Sequence, residues 1–494
     1  MKDFSAVKID SDIKIDLTTM DNENRLITTP WSRIVRGLGL GQYPVDYNES
    51  VSSLIQEAFC FLKAKGNYSD NYVNFSALLC DFINLILNPK KIISEKERLV
   101  YIDNIISLIE HECDPYRRIM QYCITIDALA KLNINVFTIL EHRVDLSVVL
   151  FDVIGDIKLN CIKDEDKGNH GDYEKLSAYT SVFFALAICD KANYAVTQEH
   201  NHIIDALNTL EHIPSPFYRG RSGGMLFSAI SLLGYGWMLQ DNGRNYLAET
   251  LDYLDKVDVI GVNPVFPQHM TPEFIIIYPL LTMLNAIAVT GSHKLLHYRN
   301  NRIKQASLLL NALTPIERTH MGLYYIMAMY NLGLLNHERN NIDTLLDDIV
   351  HTANDIEPSE NYFLHGISCS YVIETASILG RRDLISDQVI KKLVNSFYSM
   401  NRTQEDEVNR PYPFAYALTT LSEIGHVERL FKPSSHYDGQ SAIMWVINNL
   451  PLKEDGVNER LYMLSHALIN LMLRMRGDYF TKNKIYASFC FPTS

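Results

Sequence analysis

Four side chains in this sequence pair acid–base chemistry with a setting that would use it: His269, His320, His365 and Glu374. Imidazole titrates near neutrality, so a histidine serves as general acid or base without a large pKa shift. His269 stands before Met270-Thr271-Pro272-Glu273, where proline suits the first position of a helix. His320 follows Thr319, which reads as a helix cap, and His365 opens the run towards Leu379-Gly380. Glu374 lies between Ile373 and Thr375-Ala376, where burial would raise its pKa and make it a proton donor. The competing reading is plainer: loop or core histidines, and an acid bonded to neighbouring helices.

Other residues are suited to binding. Arg219 and Arg221 would hold an anionic group, and Tyr278, Tyr324, Tyr371 and Tyr416 recur on apolar segments, where they would line any cavity those segments enclose. Metal signals are weak. His365 and Cys369 share a helical face, but nothing nearby supplies the further ligands zinc needs. Asp347-Asp348-Ile349-Val350-His351 approaches a magnesium–diphosphate motif but ends in His, and it reads as a solvated helix face. The Gly37, Gly39, Gly41 run lacks a following Gly-Lys-Ser/Thr and reads as a turn. The sequence predicts no metal and no cofactor.

These residues need elements to position them, and the periodicity predicts an all-α chain. From Val51 onward apolar residues recur at helical spacing, as in Leu99, Ile102, Ile105, Ile106 and Ile109. In the second half, apolar helices stop at Gly234, Gly291, Gly333, Gly380, Gly425 and Gly477. More amphipathic segments, such as 298–313 and 383–400, lie between them. A helix apolar on nearly all sides must be covered on all sides, whereas one with a polar stripe can cover it. Repeated hairpins of this kind build either an α/α toroid, with inner and outer rings of helices, or an open α-solenoid. Complete covering of the inner helices favours the toroid, whose inner N-termini converge and favour anions. The expected organisation is an arm over 1–50, helical hairpins over 51–162 and a repeat domain over 172–494. The division falls at the polar stretch 163–172.

Two segments carry a resemblance. His365-Gly366-Ile367-Ser368, running through Tyr371-Val372-Ile373 to Leu379-Gly380, is similar to inner-helix openings of lanthionine cyclase-like α/α toroids. Arg221-Ser222-Gly223-Gly224, running to Leu233-Gly234, is a second such opening. The resemblance implies the fold only. The family's zinc is held by cysteines and a histidine in Trp-Cys-Tyr-Gly-like and Cys-His-Gly-like contexts, and neither occurs here; Leu364, not Cys, precedes His365.

Composition bounds the remaining classes. Of 494 residues, 47% are apolar and 21% charged, so a packed core is expected. A net charge of -13 without a dense basic block argues against nucleic acid. The 8 cysteines are scattered, without Cys-x-x-Cys, which reads as a reducing compartment. A polar N-terminus and the lack of a full-length apolar span predict a cytoplasmic protein without a membrane partner. The leading reading is an enzyme acting on a small molecule or modified peptide in a toroid pocket, by lyase, cyclase or hydrolase chemistry. The alternative is a non-catalytic helical-repeat scaffold. Oligomeric state is not legible.

Overall fold

Caps and stops set the architecture. The computed structural model describes residues 94–131, 134–137, 145–157, 170–240, 243–256, 271–355, 362–399, 414, 416–418, 420, 421 and 424–448. The expected arm and first hairpins, residues 1–93, therefore lie outside the described residues. Among the described residues fourteen α-helices follow one another: α1 (Glu95–Glu110), α2 (Pro115–Lys131), α3 (Leu146–Asp156), α4 (His170–Ile188), α5 (His202–Glu211), α6 (Pro216–Leu232) and α7 (Tyr246–Leu254). Then come α8 (Pro272–Val289), α9 (Arg302–Ala312), α10 (Pro315–Asn331), α11 (Arg339–Asp355), α12 (Tyr362–Ile378), α13 (Asp387–Ser399) and α14 (Ala442–Asn448). Among the described residues there is no strand, only two isolated bridges. The fold is all-α, as the periodicity predicts.

From α4 onward one unit repeats. A buried helix ends on a left-handed residue: Asp190, then Gly234, Gly291, Gly333, Gly380 and Gly425. Glycine reaches this conformation without a Cβ clash. The next residue's N–H then bonds back into the last turn, Tyr235 to Ile230 O at 3.1 Å, Ser292 to Ile287 O at 2.9 Å, Leu334 to Met329 O at 2.8 Å and Arg381 to Ala376 O at 2.8 Å. Five of the six glycine stops read from sequence are thus in place; Gly477 is outside the described residues.

Helix starts differ from expectation. Ser215, Thr271 and Thr314 cap α6, α8 and α10, each followed at once by proline. At α6 and α10 the pair fixes the first turn several residues earlier than the sequence reading placed it, whereas α8 starts at Pro272 as read. Arg219, Arg221, Glu317, Arg318 and His320 are consequently inside helices rather than ahead of them. Thr319 is no cap; its hydroxyl donates to Ile316 O at 2.6 Å. The amphipathic segment at 298–313 is also broken, because Arg299 turns left-handed and Asn301 caps α9.

Helices α4, α6, α8, α10 and α12 pack side by side in chain order. Outer helices α5, α7, α9 and α11 each bridge the inner helix before and the one after, and α13 packs on α12. The inner helices run parallel. Between α8 and α10, Thr271 meets Glu317, Tyr278 meets Tyr324 and Asn285 meets Asn331, always 46 residues apart and in the same order. Glu317 fastens the first of these contacts: its carboxylate accepts from the backbone and hydroxyl of both Thr314 and Thr271. One hydrophobic cluster runs from Ile102 to Val446, on both sides of the polar stretch 163–172. Helix α8 has the length and apolarity of a membrane span, but 83% of it is buried within the fold.

The closest approach in the inner layer is α6 against α8. A Cβ on Gly224 would fall 2.7 Å from the backbone of Thr282, which cannot step aside cheaply. Gly155 on α3 meets nothing within 4 Å. Gly224→Val is expected to lower stability by about 2–3 kcal/mol through overpacking. Gly155→Ala is expected to raise it by about 0.5–1 kcal/mol through helix propensity. Urea unfolding of both variants checks the pair.

Candidate anion-binding site

The site begins with one buried cation. Arg221 lies in the second turn of α6 and is 2% exposed. Among the described residues its guanidinium makes no ion pair and no hydrogen bond, and its Nε is wholly enclosed without a partner. It faces aromatic rings instead. The Tyr278 ring centroid on α8 lies 5.0 Å from it and that of Tyr173 on α4 5.8 Å. Tyr218 and Tyr324 also stand close enough to act on its charge.

These phenols are not counterions. Burial pushes Tyr278 well above its ordinary pKa, although Arg221 pulls the other way, and burial raises Tyr218 likewise. The rings of Tyr278 and Tyr173 offer the guanidinium their π faces. Burial opposes the Arg221 charge, yet the surrounding tyrosines hold its proton on, and arginine does not neutralise in proteins. Each ring returns about 0.5–2 kcal/mol, against a desolvation cost of several kcal/mol for the ion. Among the described residues no anion makes up the difference.

Arg302 shows what a structural buried arginine looks like in this fold. It is 0% exposed and meets Asp255 two-pronged, Nη1 to Oδ1 at 2.6 Å and Nη2 to Oδ2 at 2.9 Å. That pair ties the end of α7 to the start of α9. The sequence could not distinguish these two arginines.

A row of polar side chains leads away from Arg221 across the inner layer. Tyr278 and Tyr324 stand with rings 5.1 Å apart and hydroxyls 3.5 Å apart, the long limit of a hydrogen bond. One turn earlier on α10, His320 Nε2 lies 3.0 Å from Ser368 Oγ on α12, and its ring is 4.8 Å from that of Tyr371. Tyr371 donates at 3.5 Å to Tyr416 in the helical residues that follow. The row rests on helix register. Arg221, Tyr278 and His320 each precede their stop glycine by thirteen residues, and Tyr324, Tyr371 and Tyr416 by nine. Positions four apart share a helix face.

The other candidates are placed as follows. Glu374 is on α12 and 1% exposed. His365 falls in the first turn of α12, with its side chain outside the described residues, and His269 lies outside them altogether. The sequence pairs Arg219 with Arg221, but the structure separates them, since two residues turn a helix by about 200°. Arg219 stacks on Tyr253 of α7 at 3.9 Å and donates to Glu211 O, in the outer layer. Cys369 is fully buried, and burial raises its thiol to about 12 despite Lys392. Asp348 pairs with Arg318 on the exposed side of α11, the solvated face expected of it.

The sequence marks Tyr173 only as a polar residue at an inner-helix start and Ser368 only as part of the His-Gly-x-Ser opening, without a role of its own for either. Ser368 stands next to the register position of His320 one repeat later, so counting back from the stop glycines would have found it. Protein-family models, curated proteins and solved structures were all compared with the chain, and none matches it.

An unpaired buried charge makes the ligand-free protein less stable than it would otherwise be. Arg221→Met keeps the volume and removes the charge, and is expected to stabilise the free protein by at least about 1 kcal/mol. Asp255→Asn strands Arg302 and is expected to cost about 3 kcal/mol. Thermal unfolding of the two variants against the parent chain checks both signs.

Proposed function

We propose that this chain is an enzyme acting on a small molecule or modified peptide that carries an anionic group, held in the interior of an α/α toroid. The observation that carries the proposal is Arg221, a permanent cation buried to 2% exposure without a described counterion. A planar guanidinium binds carboxylate or phosphate in two-pronged fashion, and low local dielectric strengthens that bond. Parallel inner helices wrapped by outer ones support the toroid over an open solenoid, because each inner helix must be covered on every side.

Within this reading Arg221 anchors the anion, and Tyr173, Tyr278 and Tyr324 pack around the ligand. His320 exchanges a proton with Ser368 or with the substrate beside it, in the range where imidazole works as acid and base. Glu374, His269 and His365 are further acid–base candidates in the same reading. Arg219, stacked in the outer layer, is left to a structural role. The substrate is a small molecule or peptide rather than nucleic acid, the site is expected in the cytoplasm, and the work is biosynthetic tailoring.

A binding protein without catalysis is the second reading. The observation in its favour is that Tyr278 is pushed too high by burial to transfer protons near neutrality. Product analysis separates the two readings, since a binding protein returns its ligand unchanged.

The binding step is tested by thermal shift with panels of phosphate monoesters, diphosphates and carboxylates. At least one class is expected to raise the melting temperature, and Arg221→Gln is expected to abolish that rise. A panel without any response, or a response that survives in Arg221→Gln, would overturn the proposal. Once a ligand is found, His320→Gln is expected to leave the shift in place and to lower turnover by roughly 10²-fold or more.

A further inference from the structure

On the outer layer, away from the tyrosine row, the turn leading into α5 gathers three donors. His200, His202 and Asp205 each present a ligand atom, and these atoms all lie within 4.8 Å of one another. Asp205 Oδ2 stands 2.5 Å from His200 Nε2 and 3.7 Å from His202 Nδ1. The two imidazoles lie 4.4 Å apart between centroids.

The turn that carries them is held rigid by its own backbone. His200 O accepts from Thr197 N–H at 2.8 Å, His202 N–H donates to Ala195 O at 3.0 Å, and His200 N–H donates to Thr197 Oγ1 at 3.0 Å. Asn201, between the histidines, caps α5 through Ile203 and Ile204. The His202 ring lies flat on Phe151 of α3, with centroids 3.6 Å apart and planes within 2°. Two of the three donors are thus fixed in place before any ligand arrives, by a tight turn in one case and a stacked ring in the other.

We infer that His200, His202 and Asp205 form a binding site for a divalent transition metal of the zinc class. Two imidazole nitrogens and one carboxylate oxygen are a zinc donor set, and the fourth position faces solvent for a water molecule or an external ligand. Magnesium and calcium prefer all-oxygen shells and are disfavoured here. The positive end of α5 opposes a cation, but that field acts mainly within the first turn, where the Asp205 carboxylate offsets it. A bound ion would clamp the turn before α5 to the helix itself. Because the unfolded chain lacks the site, binding would also stabilise the fold. The inference is independent of the Arg221 reading and survives its failure.

The test uses the full chain without a histidine tag, stripped with chelator and titrated with Co2+. One equivalent is expected to give the visible absorption of four- or five-coordinate cobalt, displaced by added Zn2+. His200→Gln and Asp205→Asn are each expected to weaken that binding by roughly tenfold or more. His351→Gln serves as control; it removes another exposed His–Asp pair, which has no third donor in a described cluster, and it is expected to leave the spectrum unchanged. Both donor changes are at partly or fully exposed positions, and far-ultraviolet circular dichroism verifies that each variant folds. Absence of the cobalt band, or a band unaffected by both donor substitutions, would overturn the inference.

Discussion

A helix that is apolar on every side has no face to give to water. Helices α4, α6, α8, α10 and α12 are of this kind, and each is covered by its inner neighbours and by outer helices. Covering alone would allow any register. Register is set at the two ends of the unit, where a capped Ser-Pro or Thr-Pro start meets a left-handed glycine stop. The caps Thr271 and Thr314 and the stops Gly291 and Gly333 repeat at a shorter interval than the 46-residue offset of three contacts between α8 and α10, so those two helices meet about one turn out of phase with the unit.

The site follows from helix register. Arg221 and Tyr278, far apart in sequence, occupy one position of the unit and face each other, Tyr278 meets Tyr324 on α10, and His320, one turn before Tyr324, meets Ser368 on α12. A single such position is filled by arginine, and the neighbouring positions supply neutral rings rather than a carboxylate. Stability alone would favour a methionine there, or an acid opposite, as Asp255 stands opposite Arg302. Among the described residues no acid stands opposite Arg221, and that is the feature on which the proposed anion site rests. The His320–Ser368 contact lies one helix further on in the same row.

Much of the fold was legible in the sequence, and the reason is physical. Glycine is the residue best suited to a left-handed stop, so five stops could be read directly, whereas the one at Asp190 could not. Starts were harder. Thr314-Pro315 is a strong signal, but the polar Glu317-Arg318-Thr319-His320 that follows looks like a loop. The structure shows Glu317 turned back to its cap and across to Thr271 instead. Gly223-Gly224 likewise reads as a loop opening, whereas Gly224 is needed inside α6 for close approach to α8. The site was legible by residue type only. That Arg219 faces outward and Arg221 inward depends on helix phase, which a misplaced start obscures. The donors around His200 escaped notice because they straddle a short turn and the first helical turn of α5, where no spacing motif marks them.

The account stands on an anion completing the charge of Arg221, and diffraction from crystals of the protein grown or soaked with selenate tests it most directly. The expected result is an anomalous selenium peak within hydrogen-bonding distance of the Arg221 guanidinium, inside the ring of Tyr173, Tyr278 and Tyr324. A carboxylate of the chain itself seated on Arg221, with no selenium peak there, would contradict it.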